Sequence, residues 1–239
     1  MQAPLFRFMP AADLAALALF CALWLGYAPI VRLFGAGAIN AGLGPVREWW
    51  MRSMVARDNR IVDSALIGHV MHSAAFFAST SLLAVGALLG LLTGLDSLQP
   101  ALEGLSLTPP ISRELLEIKV LLPAVVLVHG MFRLTWSLRQ MNYTVALMGA
   151  VPPPPVADGP ALADAIAGVL SSALTTFNDG IRSYYFALAA LTWLVGPIPF
   201  AVTATLLMAV LLRRQHFSPV ARQFAAARHL VEQAHRDHR

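Results

Sequence analysis

The stretch ALIGHVMHSAAFFASTSLLAVGALLGLL, residues 65–92, decides the fold. It runs for 28 residues without an aspartate, glutamate, lysine or arginine. A helix rises about 1.5 Å per residue and needs about 20 apolar residues to cross the hydrocarbon of a bilayer, so the stretch reads as a transmembrane helix. Three more runs share its character, at 11–31, 115–136 and 184–212. The last is interrupted by Gly196-Pro197-Ile198-Pro199, where missing backbone donors predict a kink or break.

Composition points the same way. The 239 residues are 57% hydrophobic and only 13% charged, with a mean hydropathy of +0.64. Water-soluble domains carry about 25% charge, so a bilayer is the solvent this chain suits. The expected fold is therefore all-α: an integral membrane bundle of about four transmembrane helices, with helical extensions beyond the bilayer. Residues 1–218 form the membrane domain and 219–239 a polar C-terminal tail. The 11–31 run has no Ala-x-Ala-like cleavage site and is followed by arginines, so it reads as a retained span.

Between the spans, 47–63 is rich in arginine and tryptophan at helical spacing and is expected to run on into the second span as one long helix. Residues 95–113 carry Pro100, Pro109 and Pro110 and read as an irregular loop. Pro152 to Pro155 reads as a stiff polyproline-like spacer, and 161–177 as an interfacial amphipathic helix, with a fifth crossing there as the alternative.

The single cysteine, Cys21, allows no internal disulfide. The net charge of +4 comes from arginines that flank apolar runs, which is anchoring charge rather than a nucleic-acid surface. No CxxC, HExxH, P-loop, dinucleotide or Gly-x-Ser-x-Gly pattern occurs, and no enzymatic centre is expected. With four crossings, the 32–64 connection and 137–183 share one membrane face, here face A, while the N-terminus, the 95–113 loop and the tail lie on face B. Arginines then divide between the faces, and the orientation stays open. A crossing at 161–177 would move the tail to face A and remove the conflict.

Three polar clusters fall on face A in that topology. They contain Arg57, Asn59, Arg60 and Asp63; then Arg139, Asn142 and Tyr143; then Asp179, Arg182 and Tyr184. Arg60 and Asp63 are spaced to pair on one helix face. Arg139, Asp179 and Arg182 are expected to complete a network that clamps helix ends together, or else to line a vestibule for an anion or lipid headgroup. Glu117 and Lys119 place charge inside the third span, as a structural pair or in a transport path. His69, His72 and His129 are the only candidates for a haem or metal. Packing through Ser and Thr is expected at Phe76 to Ser81, and close helix approach at Gly86, Ala87 and Gly90.

The chain resembles the bacterial and plant membrane family known as domain of unknown function 599. The resemblance rests on Arg57-Asp58-Asn59-Arg60-Ile61-Val62-Asp63, Phe76-Phe77-Ala78-Ser79-Thr80, Thr135-Trp136-Ser137-Leu138-Arg139-Gln140 with Asn142-Tyr143, Gly180-Ile181-Arg182 with Tyr184 to Ala189, and Leu212-Arg213-Arg214. It covers about residues 10–218. It implies a four-span bacterial inner-membrane protein with no assigned activity and no catalytic residues to transfer. His72 and Pro197-Ile198-Pro199 depart from the usual pattern, which weakens haem as a family property.

The functional expectation is a non-enzymatic oligomeric scaffold or accessory subunit of a larger membrane assembly, in contact with the lipid bilayer and with no nucleic acid. The alternatives are an ion or small-solute channel or transporter, and a haem or metal protein using His72 and His129. No cofactor is expected in the leading reading.

Overall fold

A computed structural model describes residues 9–33, 39–95 and 112–237. The described chain folds as helices without strands: α1 Ala11–Leu33, α2 Ile39–Val55, α3 Ile61–Thr93, α4 Arg113–Ala150, α5 Gly159–Leu191, a 3-10 turn Thr192–Leu194, α6 Pro197–His216 and α7 Pro219–Asp237. The expected 95–113 loop lies almost wholly outside the described residues.

Five helical stretches are long and apolar enough to cross a membrane, those of α1, α3, α4, α5 and the stretch that begins at Pro197. The protein is an all-α, multi-pass membrane protein, and its long apolar helices number five rather than four. The difference lies at 159–216. The segment expected to lie on the surface, 161–177, is the first half of α5, a continuous 33-residue helix. The expected fourth span is broken at its prolines, one of the two outcomes expected there. Pro197 starts α6 at a position where a helix needs no backbone donor, so the proline that would disrupt a helix interior opens a new one.

The 47–63 segment also breaks. α2 stops at Val55, and α3 starts at Ile61. The Asn59 side chain accepts the Ile61 backbone N–H at 3.0 Å, satisfying one of the donors a new helix leaves unpaired. The Pro152 to Pro155 spacer contains a cis Pro154–Pro155 bond.

The chain divides into two compact units. The first is drawn from Met1–Ile30, Ser79–Met131 and Gly180–Leu211. Its core centres on aromatic rings: Phe20 lies 5.0 Å from Phe200 and 5.7 Å from Phe186, and Trp193 stacks on Phe200 at 5.0 Å. Gly130 belongs to this core by necessity, because a Cβ there would meet Ser183 Cβ at 2.7 Å and the Gly180 carbonyl at 3.2 Å. Small residues allow such close helix approach.

The second unit is drawn from Val31–Ala78, Phe132–Asp179 and Leu212–Arg239. Its core is rich in methionine, with Met51, Met54, Met141 and Met148 packed among Ile67, Ile166 and Leu170. In this unit α2 packs on α7. Trp49 stacks on His235 at 5.6 Å, and a Cβ on Gly42 would lie 2.9 Å from the Phe224 ring.

α2 and α7 pack together, and both carry several charged residues, Arg47, Glu48 and Arg52 on one and Arg222, Arg228 and Arg236 on the other.

Candidate functional site

The polar residues gather where α2 turns into α3. Asp63, in the first turn of α3, is fully buried and accepts a 2.7 Å hydrogen bond from Trp50 Nε1. Its positive partner is Arg57, whose Nη1 lies 3.3 Å from both carboxylate oxygens. The expected Arg60–Asp63 pair does not form. The tight turn at residues 56–60 brings Arg57 over the start of α3 and sends Arg60 elsewhere.

Arg60 donates to main-chain carbonyls only. Its guanidinium bonds Val151 and, at 2.8 Å, Pro152, just past the end of α4. Longer bonds of 3.4 Å reach Met54 and Val55 in the last turn of α2. The last carbonyls of a helix have no partner within it and form the negative end of its dipole. One cation thus closes two helix C-termini. A cavity of about 240 Å³ opens beside it, lined by Arg60, Ser64, Val145, Met148 and Gly149, but the guanidinium in that wall is already bonded.

More bridges tie helices within the same unit. Arg52 of α2 makes a two-pronged contact with Asp164 of α5, both bonds 2.8 Å. That hydrogen bond raises the Arg52 pKa above its ordinary value. Arg133 of α4 pairs with Asp179 of α5. Ser137 donates to the Ala173 carbonyl, and Gln140 Nε2 to Ser172 Oγ, both at 2.7 Å. Arg139, Asn142 and Tyr143 are exposed and take no part in these contacts.

The remaining members of the proposed network belong to the other unit. Arg182 lies over the Tyr27 ring at 4.3 Å, and Tyr184 shares a 2.6 Å hydrogen bond with Ser81. They sit more than twenty residues into α5, about 35 Å along its axis from Gly159, and not at a helix entrance.

The charge inside the third expected span has a different partner from the nearest one in sequence. Lys119 is 1% exposed and pairs with Asp13 at 3.2 Å. Asp13 also accepts Trp193 Nε1 at 2.7 Å, and Lys119 lies 5.7 Å over the Trp193 ring. Glu117 instead pairs with Arg113 at the surface, one turn back. A helix places i and i+2 on different sides, which separates Glu117 from Lys119.

Two of the histidines have hydrogen-bond partners. His72 Nδ1 bonds its own helix at the Gly68 carbonyl, 2.8 Å, in one unit. His129 Nδ1 lies 3.2 Å from Ser183 Oγ and edge-on to Trp24 in the other. His69 is exposed. Among the described residues no three His, Cys, Asp or Glu side chains converge as metal ligands.

Sequence reasoning missed Asp13, Arg52, Asp164 and Arg133, although acids and bases placed inside apolar runs are a signal that they meet. It also missed Arg47. That residue is 7% exposed, on the same side of α2 as the buried Met51 and Met54. Burial pushes its guanidinium below the usual pKa.

Neither a curated protein nor a solved structure matches the chain. A family profile does, over residues 15–220, the span that contains the Arg57–Asp63 turn, the Arg60 clamp and most of both cores. The chain belongs to the family described as protein of unknown function, DUF599.

Proposed function

We propose that the protein is a non-enzymatic, multi-pass scaffold or accessory subunit of the bacterial inner membrane, acting in an oligomer or docked to a larger membrane assembly. One observation carries this reading: the charged side chains that would build a pore or a reaction centre are engaged in holding helix to helix. Arg60, Asp63, Arg52, Asp164, Arg133, Asp179, Lys119 and Asp13 all have partners on another element or across a turn. A conducting path needs polar groups left available to an ion.

An open helix face supports association. On α3, Cβ atoms added at Gly86 or Gly90 would meet nothing within 4 Å, and Leu82, Leu83 and Leu89 beside them are exposed. Two glycines four residues apart on an apolar helix suit close pairing with another membrane helix.

Five crossings also support an orientation. Face A then holds Arg47, Arg52, Arg57, Arg60, Arg139 and all the arginines of 213–239, against Arg7 and Arg113 on face B. The excess of basic residues marks the cytoplasmic side.

The test is native mass spectrometry and affinity purification of the protein released in mild detergent. Self-assembly or a stoichiometric membrane partner is expected. Lone monomers with no partner, together with ion flux in liposomes that Lys119→Ala abolishes, would replace this reading with a channel. The haem alternative, through His72 and His129, is decided by an absorption spectrum of the purified protein.

A further inference from the structure

The residues from 219 onward read as a polar tail, yet α7 presents three distinct sides. One packs on α2: Phe224 and Arg228 lie against Gly42, and His235 stacks on Trp49. At about 100° per residue these three positions fall within about 40° of one another around the axis. A second side carries Val220, Ala227, Leu230, Val231 and Ala234, spaced as one helix stripe. All five are exposed, Val220 at 67% and Leu230 at 66%. The third side, with Arg222, Ala225, His229 and Arg236, is exposed and basic.

The chain delivers that helix to the edge of the bilayer. From Pro197 to Leu212, α6 contains no charged residue, and Arg213 and Arg214 close the run. Only Phe217 and Ser218 separate the end of α6 from the start of α7. Two residues reach at most about 7 Å, roughly the depth of one headgroup layer. The Ser218 hydroxyl accepts the Ala221 backbone N–H at 3.1 Å, a cap that starts the new helix at once.

Charge names what covers the stripe. Between 213 and 237 there are five arginines, at 213, 214, 222, 228 and 236, against Glu232 and Asp237, a net +3 with neutral histidines. Arginines next to a span are drawn to the negative surface of anionic lipids. A helix with a narrow apolar stripe and a basic opposite side lies in the plane of the interface, its stripe sunk to the boundary of headgroups and acyl chains.

We propose that α7 is a membrane-surface helix whose Val220–Ala234 stripe rests on the lipid bilayer, with a preference for an anionic leaflet. Its occupant is the bilayer around the chain and not a second protein, so it stands whether or not the scaffold reading does.

The experiment places single cysteines at Ala225 and Ala227 of the full chain in a Cys21→Ser background. Each carries a small fluorophore and is quenched by nitroxide-bearing lipid or by aqueous acrylamide. The two sites are both exposed and lie about 160° apart around α7. Nanodiscs of phosphatidylcholine are compared with discs that also hold phosphatidylglycerol; both lipids carry a phosphate, so the pair reads net surface charge. The ratio of lipid to acrylamide quenching is expected to be about tenfold higher at 227 than at 225, the worth of one leucine taken out of water. Phosphatidylglycerol raises the ratio at 227 further. Leu230→Gln lowers it about tenfold and leaves the melting temperature unchanged, since Leu230 packs little within the protein. Arg222→Gln reduces the gain from phosphatidylglycerol by about two- to fivefold.

Equal ratios at the two positions overturn the proposal, as does a 227 probe that acrylamide reaches and lipid does not. A 227 probe shielded from both quenchers puts a protein on the stripe and overturns it as well. Lipid contact at 227 that ignores phosphatidylglycerol overturns the anionic preference. Native mass spectrometry of the same samples reads assembly separately, so a failure here is distinct from a failure of the scaffold reading.

Discussion

Replacing Lys119 with methionine removes the cation from a pair that water does not reach. The pair is Lys119 Nζ to Asp13 at 3.2 Å, with side-chain exposures of 1% and 6%. Breaking a buried ion pair from one side costs about 3–5 kcal/mol, chiefly because the remaining charge stays buried alone. Asp13 would keep only Trp193 Nε1 at 2.7 Å, a bond between membrane helices worth about 0.6–2 kcal/mol. The single variants Lys119→Met and Asp13→Asn are each expected to lose about 3–5 kcal/mol. The double variant leaves no charge, and its asparagine still accepts from Trp193, so it is expected to lose less than about 2 kcal/mol.

The assay is already in the molecule. Cys21 is the only cysteine and packs, half-buried, against the same aromatic core. Its reaction with a thiol-reactive dye during a denaturing-detergent titration reports the opening of that unit. The cycle should give a coupling of at least about 2 kcal/mol, as contacting residues do. A Lys119→Met protein that opens within about 1 kcal/mol of wild type, or a double variant no more stable than the singles, would refute the claim that this charge is held structurally.

Other expectations follow from particular contacts. Arg60→Gln strands the carbonyls past α4 and at the end of α2 and should lower stability by about 2–3 kcal/mol, the scale of lost hydrogen bonds from a charged group; thermal unfolding in detergent measures it, and an unchanged transition would contradict the clamp. Gly130→Ala drives a methyl into Ser183 and should cost about 1–3 kcal/mol by overpacking, a loss that Gly149→Ala, at an open site, does not share. In a Cys21→Ser background, single cysteines at Asn59 and Gln233 should label from the same side of the membrane and one at Ser112 from the other. Labelling of Asn59 and Gln233 from opposite sides would rule out five crossings.

The bilayer was legible in the sequence because hydrocarbon imposes a local test: some twenty apolar residues in a row, with backbone bonds satisfied inside the helix. That test located α1, α3 and α4 and the break before Pro197. It placed 161–177 on the surface because that segment, read by itself, is only moderately apolar. Its continuation through 178–191 into one 33-residue helix was obscured by Asn178, Asp179 and Arg182, which look like a membrane boundary until Asp179 meets Arg133 and Arg182 meets Tyr27.

Polar clusters were visible as clusters, and their members did include Arg57, Arg60 and Asp63. Their partners were not visible. Spacing along a helix suggested Arg60 for Asp63 and Glu117 for Lys119, yet the chain supplied Arg57 across a turn and Asp13 from more than a hundred residues away. By itself the sequence determined the solvent, the helical class and the break before Pro197, since each depends on residues close together in the chain. Only the tertiary structure decided the number of long apolar helices, the packing of α2 on α7, and the partners of Asp63 and Lys119. A charge in a low-dielectric interior is neutralised by whichever opposite group folding brings within hydrogen-bonding distance, and that distance in space is not written in distance along the chain.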